Sequence, residues 1–213
     1  QELDMNGIDS ALCPELKAAG YTAIFSTSSD SAAALFVRLG RFKILSELSL
    51  DFVAVAVVQD LESRSQPTRL ALASGHLKSG KTTEAEEARS EQVAKLLDIL
   101  KEQSADHVIF AGDLNAVSVT DTTIGAPLAY AAVLRHPLHL RSAYANELGE
   151  PEYTTWKLRP KGEIKRCIDY IFHSSSLTSA SILSPPDKMP SERLPCFAYP
   201  SDHLALGVDF IYP

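Results

Sequence analysis

His107-Val108-Ile109-Phe110-Ala111-Gly112-Asp113-Leu114-Asn115 is the stretch from which the rest of the chain is read. His107 to Ala111 is a short, mostly apolar run, which predicts a buried strand. Gly112 then permits a tight turn. Asp113 and Asn115 follow two residues apart, and the alternation of extended backbone puts both side chains on one side. A carboxylate there can take a proton from water. An amide can donate to a phosphoryl oxygen and accept from a nucleophile. The same pair also suits an Asx turn that caps a loop.

Upstream, Thr83 to Gln103 is rich in Glu, Ala, Lys and Leu, with Val93, Leu96, Leu97 and Leu100 on one face, and it predicts a helix. Thr83 and Glu86 have capping-box spacing at its start. Before it, Arg69 to Ser74 reads as a strand running into Gly75-His76-Leu77-Lys78. His76 and Lys78 share a face by the same alternation, and both can donate to phosphate oxygens. A strand-end histidine and a solvated lysine describe them equally. Phe52 to Leu61 is a second β-rich run, and the Pro-containing 63–68 segment (SRSQPT) between the two signals a hairpin. Tyr21 to Phe25, Ala33 to Val37 and Phe42 to Leu50 read as strands. Ile8 to Ala19 has helical spacing and stops at Gly20.

Downstream, Ala129 to Leu134 predicts a helix; Tyr153 to Trp156, Ile168 to Phe172 and Leu204 to Phe210 predict strands. Ser184 to Pro200, with Pro185, Pro186, Pro190, Pro195 and Pro200, predicts a loop. Asp169 lies inside an apolar strand, and a buried carboxylate needs a partner. His203, in Ser201-Asp202-His203, is the natural one; an arginine or backbone amides would also serve. Glu2 and Asp4 read as an acidic chain end. Many strands with interspersed helices predict an α/β (α+β) fold in which sheet packs on sheet, flanked by helices.

With 213 residues the chain fits a single domain spanning 1–213. A hydrophobic content of 45% with 22% charged residues is ordinary for a globular protein. No apolar run reaches the ~18 residues that span a bilayer, so no membrane partner is expected. Cys13, Cys167 and Cys196 form no disulfide or zinc pattern and suit a reducing compartment. The formal net charge of -7 opposes a long polyanion and leans towards a small phosphorylated substrate.

In order along the chain these motifs are QE-x-D (1–4), AALF (33–36), HLK (76–78), GD-x-N (112–115), IDYIF (168–172) and SDH (201–203). The sequence resembles the endonuclease/exonuclease/phosphatase superfamily along essentially its whole length. Tyr153-Thr154-Thr155-Trp156-Lys157, Arg193-Leu194-Pro195, Phe197, Tyr199-Pro200 and Ser201-Asp202-His203-Leu204, with Arg89 and Gln92, carry a finer likeness to the nocturnin branch of its CCR4-like group. The resemblance implies a four-layer α/β sandwich of two packed mixed sheets flanked by helices, with the site at one edge. It implies Glu2 as the ligand of Mg²⁺, with Mn²⁺ as the alternative. Asp113 and Asn115 would position or activate water. Asp169 would orient His203 towards the reacting phosphoryl group, and His76, Lys78 and Asn115 would bind phosphate oxygens.

The departures from the family pattern set further expectations. The superfamily's first strand bears a metal-holding asparagine. This sequence begins after it, so the domain reads as N-terminally truncated. Ser28 stands near the place of a phosphate-contacting lysine, and Ser31-Ala32 replaces the usual Asp-Gly. Gly80 replaces the arginine after HLK, with Lys81 one step on as the substitute phosphate contact. The activity implied is hydrolysis of the 2′-phosphate of NADP(H). Poly(A) exoribonuclease action on RNA and a non-hydrolytic interaction module are the alternatives. Tyr153, Trp156 and Phe197 suit either stacking on a base or ordinary packing. A cytoplasmic location is expected, or a mitochondrial one if a targeting peptide precedes this sequence.

Overall fold

The computed structural model describes residues 1–4, 12–28, 31–63, 66–118, 126–160, 162–186 and 193–212. Its centre is a six-stranded sheet in the order β3 (Phe42–Ser49), β4 (Val53–Asp60), β5 (Thr68–His76), β6 (His107–Asp113), β10 (Asp169–His173) and β7 (Arg141–Ser142). Only the β5–β6 pair is parallel. The helix α2 (Thr83–Glu102) connects those two strands and packs on one face of the sheet with α3 (Leu128–Arg135).

The period-two alternation of β4 shows why both faces are covered. Val53 and Val55 point into the cluster that includes Val93, Leu96, Leu97 and Leu100 of α2. Ala54, Ala56 and Val58 point the other way, into a cluster with Ile24 and Val37. The latter pair belongs to the antiparallel hairpin of β1 (Tyr21–Phe25) and β2 (Ala34–Arg38), with α1 (Cys13–Ala18) packed outside it. Tyr212, just beyond β12 (Val208–Ile211), packs against the same cluster, and β12 pairs with β11 (Thr178–Ile182). The order of layers is therefore helices, main sheet, hairpins and α1. Among the described residues the second sheet layer consists of two separate two-stranded pieces rather than one continuous mixed sheet.

Most of the expected elements form, with shifted ends. Thr82, not Thr83, caps α2: its backbone is extended and its hydroxyl accepts from the Ala85 amide at 3.2 Å. Glu86 faces sideways instead, accepting from Arg89 and, at 2.9 Å, from the first-turn amide of Ala129 in α3. The strand expected at 153–156 runs from Thr155 to Arg159 as β8 and pairs with β9 (Gly162–Arg166), which the sequence did not signal. The run expected at 204–210 is a strand only from Val208. Before that, its amides bond to Thr154 O, Tyr199 Oη and Tyr144 Oη, which takes them out of any ladder. Also unforeseen are the short β7, α4 (Ala143–Glu147) and β11. The start of the expected helix at 8–11, residues 64–65 of the hairpin connection, and 187–192 of the Pro-rich loop lie outside the described residues.

Candidate active site

Strand register assembles the site. His76 ends β5 and lies opposite Asp113, which ends β6. Asp113 in turn lies opposite Asp169, the first residue of β10. Three motifs far apart in sequence thus stand in a row at one edge of the sheet. Close backbone approach makes this possible: a Cβ on Gly112 would lie 2.2 Å from the Gly75 carbonyl oxygen.

The fourth member arrives by a loop docked on β8. Leu204 N donates to Thr154 O at 2.7 Å, and Thr155 Oγ1 donates to Asp202 O at 2.9 Å. These bonds aim His203 at Asp169, with Nδ1 2.9 Å and 3.1 Å from the two carboxylate oxygens. Thr154, fully buried, donates to Asp169 Oδ2 at 2.5 Å and accepts from the amides of Ile168 and Asp169. The Asp169–His203 pairing expected from sequence is present.

Asp113 is 3% exposed, and its Oδ1 accepts from the Asn115 amide at 2.6 Å. That bond is the Asx turn, so the structural and chemical readings of the pair hold together. Asn115 has φ 50, a left-handed conformation that asparagine tolerates better than most residues. Its Nδ2 donates to Leu77 O at 3.1 Å, leaving Oδ1 as an acceptor. His76 Nδ1 lies 3.0 Å from Ser31 Oγ. Its Nε2 is buried without a hydrogen-bond partner among the described residues, 3.7 Å from Glu2 Oε1 and 3.8 Å from Asp113 Oδ2. Glu2 is placed by the Leu3–Ala32 bridge.

Electrostatics follow from this crowding. Burial, with the charge of Asp169 second, pushes the Asp113 carboxyl up to about 7. Burial pulls His76 below the ordinary histidine range, against the opposing pull of Glu2. Burial also opposes the charged form of His203. The hydrogen bond to Asp169 and that residue's charge outweigh it, so the imidazole sits above its usual value.

The donor set suits a hard divalent cation. Asp113, Asp169 and His203 offer ligand atoms within 4.8 Å of one another; Glu2, the metal ligand expected from sequence, lies outside that group, its Oε1 3.7 Å from His76 Nε2. Oxygen donors are what Mg²⁺ takes, usually with several waters retained. A cation there would favour the ionised Asp113 carboxylate, which burial first and the neighbouring Asp169 second disfavour.

Of the residues singled out in the sequence, Glu2, His76, Asp113, Asp169 and His203 converge, with Asn115 adjoining. The two lysines stand apart. Lys78 is exposed; its amide donates to Gln92 Oε1, and its carbonyl accepts from Arg89. Lys81 lines a separate cavity of about 140 Å³ behind Asn115, with Arg89 and Arg166. A larger cavity of about 680 Å³ starts at Glu2, Asp113, Asp169 and His203 and runs along Ala111 and Ile171 towards Leu206. Ser31, Thr154, Lys157 and Asp202 enter the site unassigned by sequence reasoning. No periodicity marks them, because each role depends on which loop docks where.

The sequence matches the Endonuclease/Exonuclease/phosphatase family over residues 1–203. Nocturnin of Rattus norvegicus is 35% identical over 196 residues, covering 84% of this chain and 44% of that protein, so the chain spans under half the length of this relative. A probable CCR4-Not complex 3′-5′-exoribonuclease subunit Ccr4 of Encephalitozoon cuniculi is 29% identical over 144 residues, covering 57% of this chain and 28% of that protein. The solved catalytic domain of human Nocturnin, with bound sulfate anion, superposes with a TM-score of 0.77 at 28% identity, covering all of this chain and 79% of the other. With the motifs in family order and their side chains gathered at one sheet edge, this chain belongs to the endonuclease/exonuclease/phosphatase family.

Proposed function

We propose that this chain is a divalent-cation-dependent phosphoester hydrolase acting on the 2′-phosphate of NADP(H) by in-line attack of water. The observation that carries the reading is His203 held through Nδ1 by Asp169 beside the buried Asp113. Nε2 is thereby the ring atom left to face a phosphoryl oxygen. Asp113, buried beside Asp169, takes the proton of the attacking water. Asn115 Oδ1 orients that water. His76 would act on the phosphoryl group by the family likeness, its buried Nε2 standing 3.7 Å from Glu2 Oε1 and 3.8 Å from Asp113 Oδ2. Glu2, Asp113 and Asp169 would hold Mg²⁺, which would offset charge on a phosphoryl or leaving oxygen.

The substrate assignment rests on the longer and stronger likeness to nocturnin and on the net charge of -7, which disfavours a polyanion. Poly(A) shortening is the second reading, favoured by the Ccr4 likeness. Phosphate release from NADP⁺ with Mg²⁺, beside an oligo(A) shortening assay on the same preparation, separates the two. EDTA-sensitive phosphate release without shortening is expected, with His203→Ala reducing it by about three orders of magnitude. Shortening alone transfers the protein to the deadenylase reading. Silence in both leaves a fold retained for interaction.

A further inference from the structure

Lys157 is a half-buried cation beside His203. Its Nζ lies 2.6 Å from Asp202 Oδ2 and 3.5 Å from His203 Nε2, and its side chain is 17% exposed. The distance to Nε2 matters because Nδ1 is committed to Asp169, which makes Nε2 the atom that meets substrate. The lysine is also fixed in place. β8 is joined to the 202–204 segment by the Thr155–His203 bridge, by Thr155 Oγ1 to Asp202 O and by Leu204 N to Thr154 O. The ammonium therefore stands beside the imidazole whenever the histidine is in position.

A structural ion pair does not require this placement. Both partners keep contact with water, at 17% and 29% side-chain exposure, and a pair so placed adds little to stability. Arg159 Nη2 lies 3.9 Å from the same Asp202 Oδ2. Asp202 thus keeps a second cation at hand when the ammonium turns to another anion. The rest of the site is acidic: Glu2, Asp113 and Asp169 all oppose an approaching phosphate.

We propose that Lys157 binds the phosphoryl group that His203 contacts and selects a terminal, dianionic phosphomonoester over an internal, monoanionic diester. This rests on the phosphoesterase reading of the site. Coulomb attraction scales with the product of the charges, so a dianion gains about twice what a monoanion gains from the same ammonium. Removing Lys157 therefore costs the monoester more.

The test compares the parent, Lys157→Met and Lys157→Gln on p-nitrophenyl phosphate and bis(p-nitrophenyl) phosphate with Mg²⁺. Binding of inorganic phosphate to each is measured by thermal shift. In the neutral variants kcat/KM for the monoester should fall about 10- to 100-fold, the loss of one charged hydrogen bond. The diester should fall less than about a third as far, and the dissociation constant of phosphate should rise about tenfold. The Gln amide retains a bond to Asp202, so that variant keeps the fold if Met does not. Lys157→Arg, which keeps the charge, should preserve the monoester preference. Equal losses on both esters, or phosphate binding unchanged in the neutral variants, would overturn the assignment while an active parent leaves the phosphoesterase reading standing. A parent that neither hydrolyses nor binds phosphate overturns both.

Discussion

Thr154 shows how much one hydroxyl carries. It donates to Asp169 Oδ2 and accepts from the amides of Ile168 and Asp169, all in a fully buried position. Valine fills nearly the same volume and removes all three bonds. The two amides then lose this acceptor in the interior, where an unmade bond costs about 1–3 kcal/mol, while Asp169 Oδ2 keeps His203 Nδ1 as a partner. Thr154→Val is expected to destabilise the fold by about 2–4 kcal/mol and to lower kcat about 10- to 100-fold through a misaimed Asp169–His203 pair. Thr154→Ser should recover most of both. Chemical denaturation and steady-state phosphate release on the same preparations decide it, and an active, fully stable Val variant would remove Thr154 from the site. Asp113, Asp169, His76 and His203 were legible in the sequence because each sits in a short motif whose residue types imply chemistry. Thr154, Lys157 and Asp202 were visible only as part of a family likeness. Their roles arise from the docking of residues 201–204 on β8, which no local pattern encodes.

At the scale of elements, the site depends on the parallel pairing of β5 and β6. Gly75 lies opposite Gly112 in the step before His76 meets Asp113. An added Cβ at Gly112 would meet the Gly75 carbonyl oxygen at 2.2 Å, and a backbone atom cannot swing aside as a side chain does. Gly112→Ala must separate the strands where His76 and Asp113 are matched. A loss of about 3 kcal/mol or more is expected, with activity lost even where the protein stays soluble. Gly40→Ala, where nothing lies within 4 Å, serves as the neutral control. Equal melting temperatures for the two variants would show that the β5–β6 contact is not restrictive. This pairing also marks the limit of what elements reveal in sequence. β4, β5, β6, β10 and α2 were readable because long apolar runs or a helical stripe define them. β9 (GEIKR) and β11 (TSASI) were not, because their half-exposed hairpins lack a buried face to write an alternation into the sequence.

Across the whole molecule, folding gathers Glu2, Asp113 and Asp169 from three distant parts of a chain already carrying a net charge of -7. The cost is visible in Asp113, whose carboxyl rises from 3.8 to about 7, chiefly by burial. Between those values the unfolded chain has lost a proton that the folded protein keeps. Metal-free stability should therefore fall as pH rises from about 4 to 7 and stay low above that. Asp113→Asn removes the ionisation, and its amide oxygen can still accept from the Asn115 amide. Without metal, this variant should melt several degrees above the parent at pH 8 and level with it near pH 4. A bound cation reverses the sign for the parent, because it favours the ionised carboxylates. At Mg²⁺ near a hundred times its dissociation constant, mass action adds about 2.7 kcal/mol. In a chain of this size that raises the melting temperature by roughly 5–10 °C. Glu2→Gln and Asp113→Asn should each lose most of that rise, and EDTA should abolish it in the parent. If Mg²⁺ and Mn²⁺ leave the parent's melting curve unmoved at pH 8 while Asp113→Asn still raises it, the acidic edge is a buried charge cluster and not a metal site. The phosphoesterase reading would then lose the cation on which its chemistry depends.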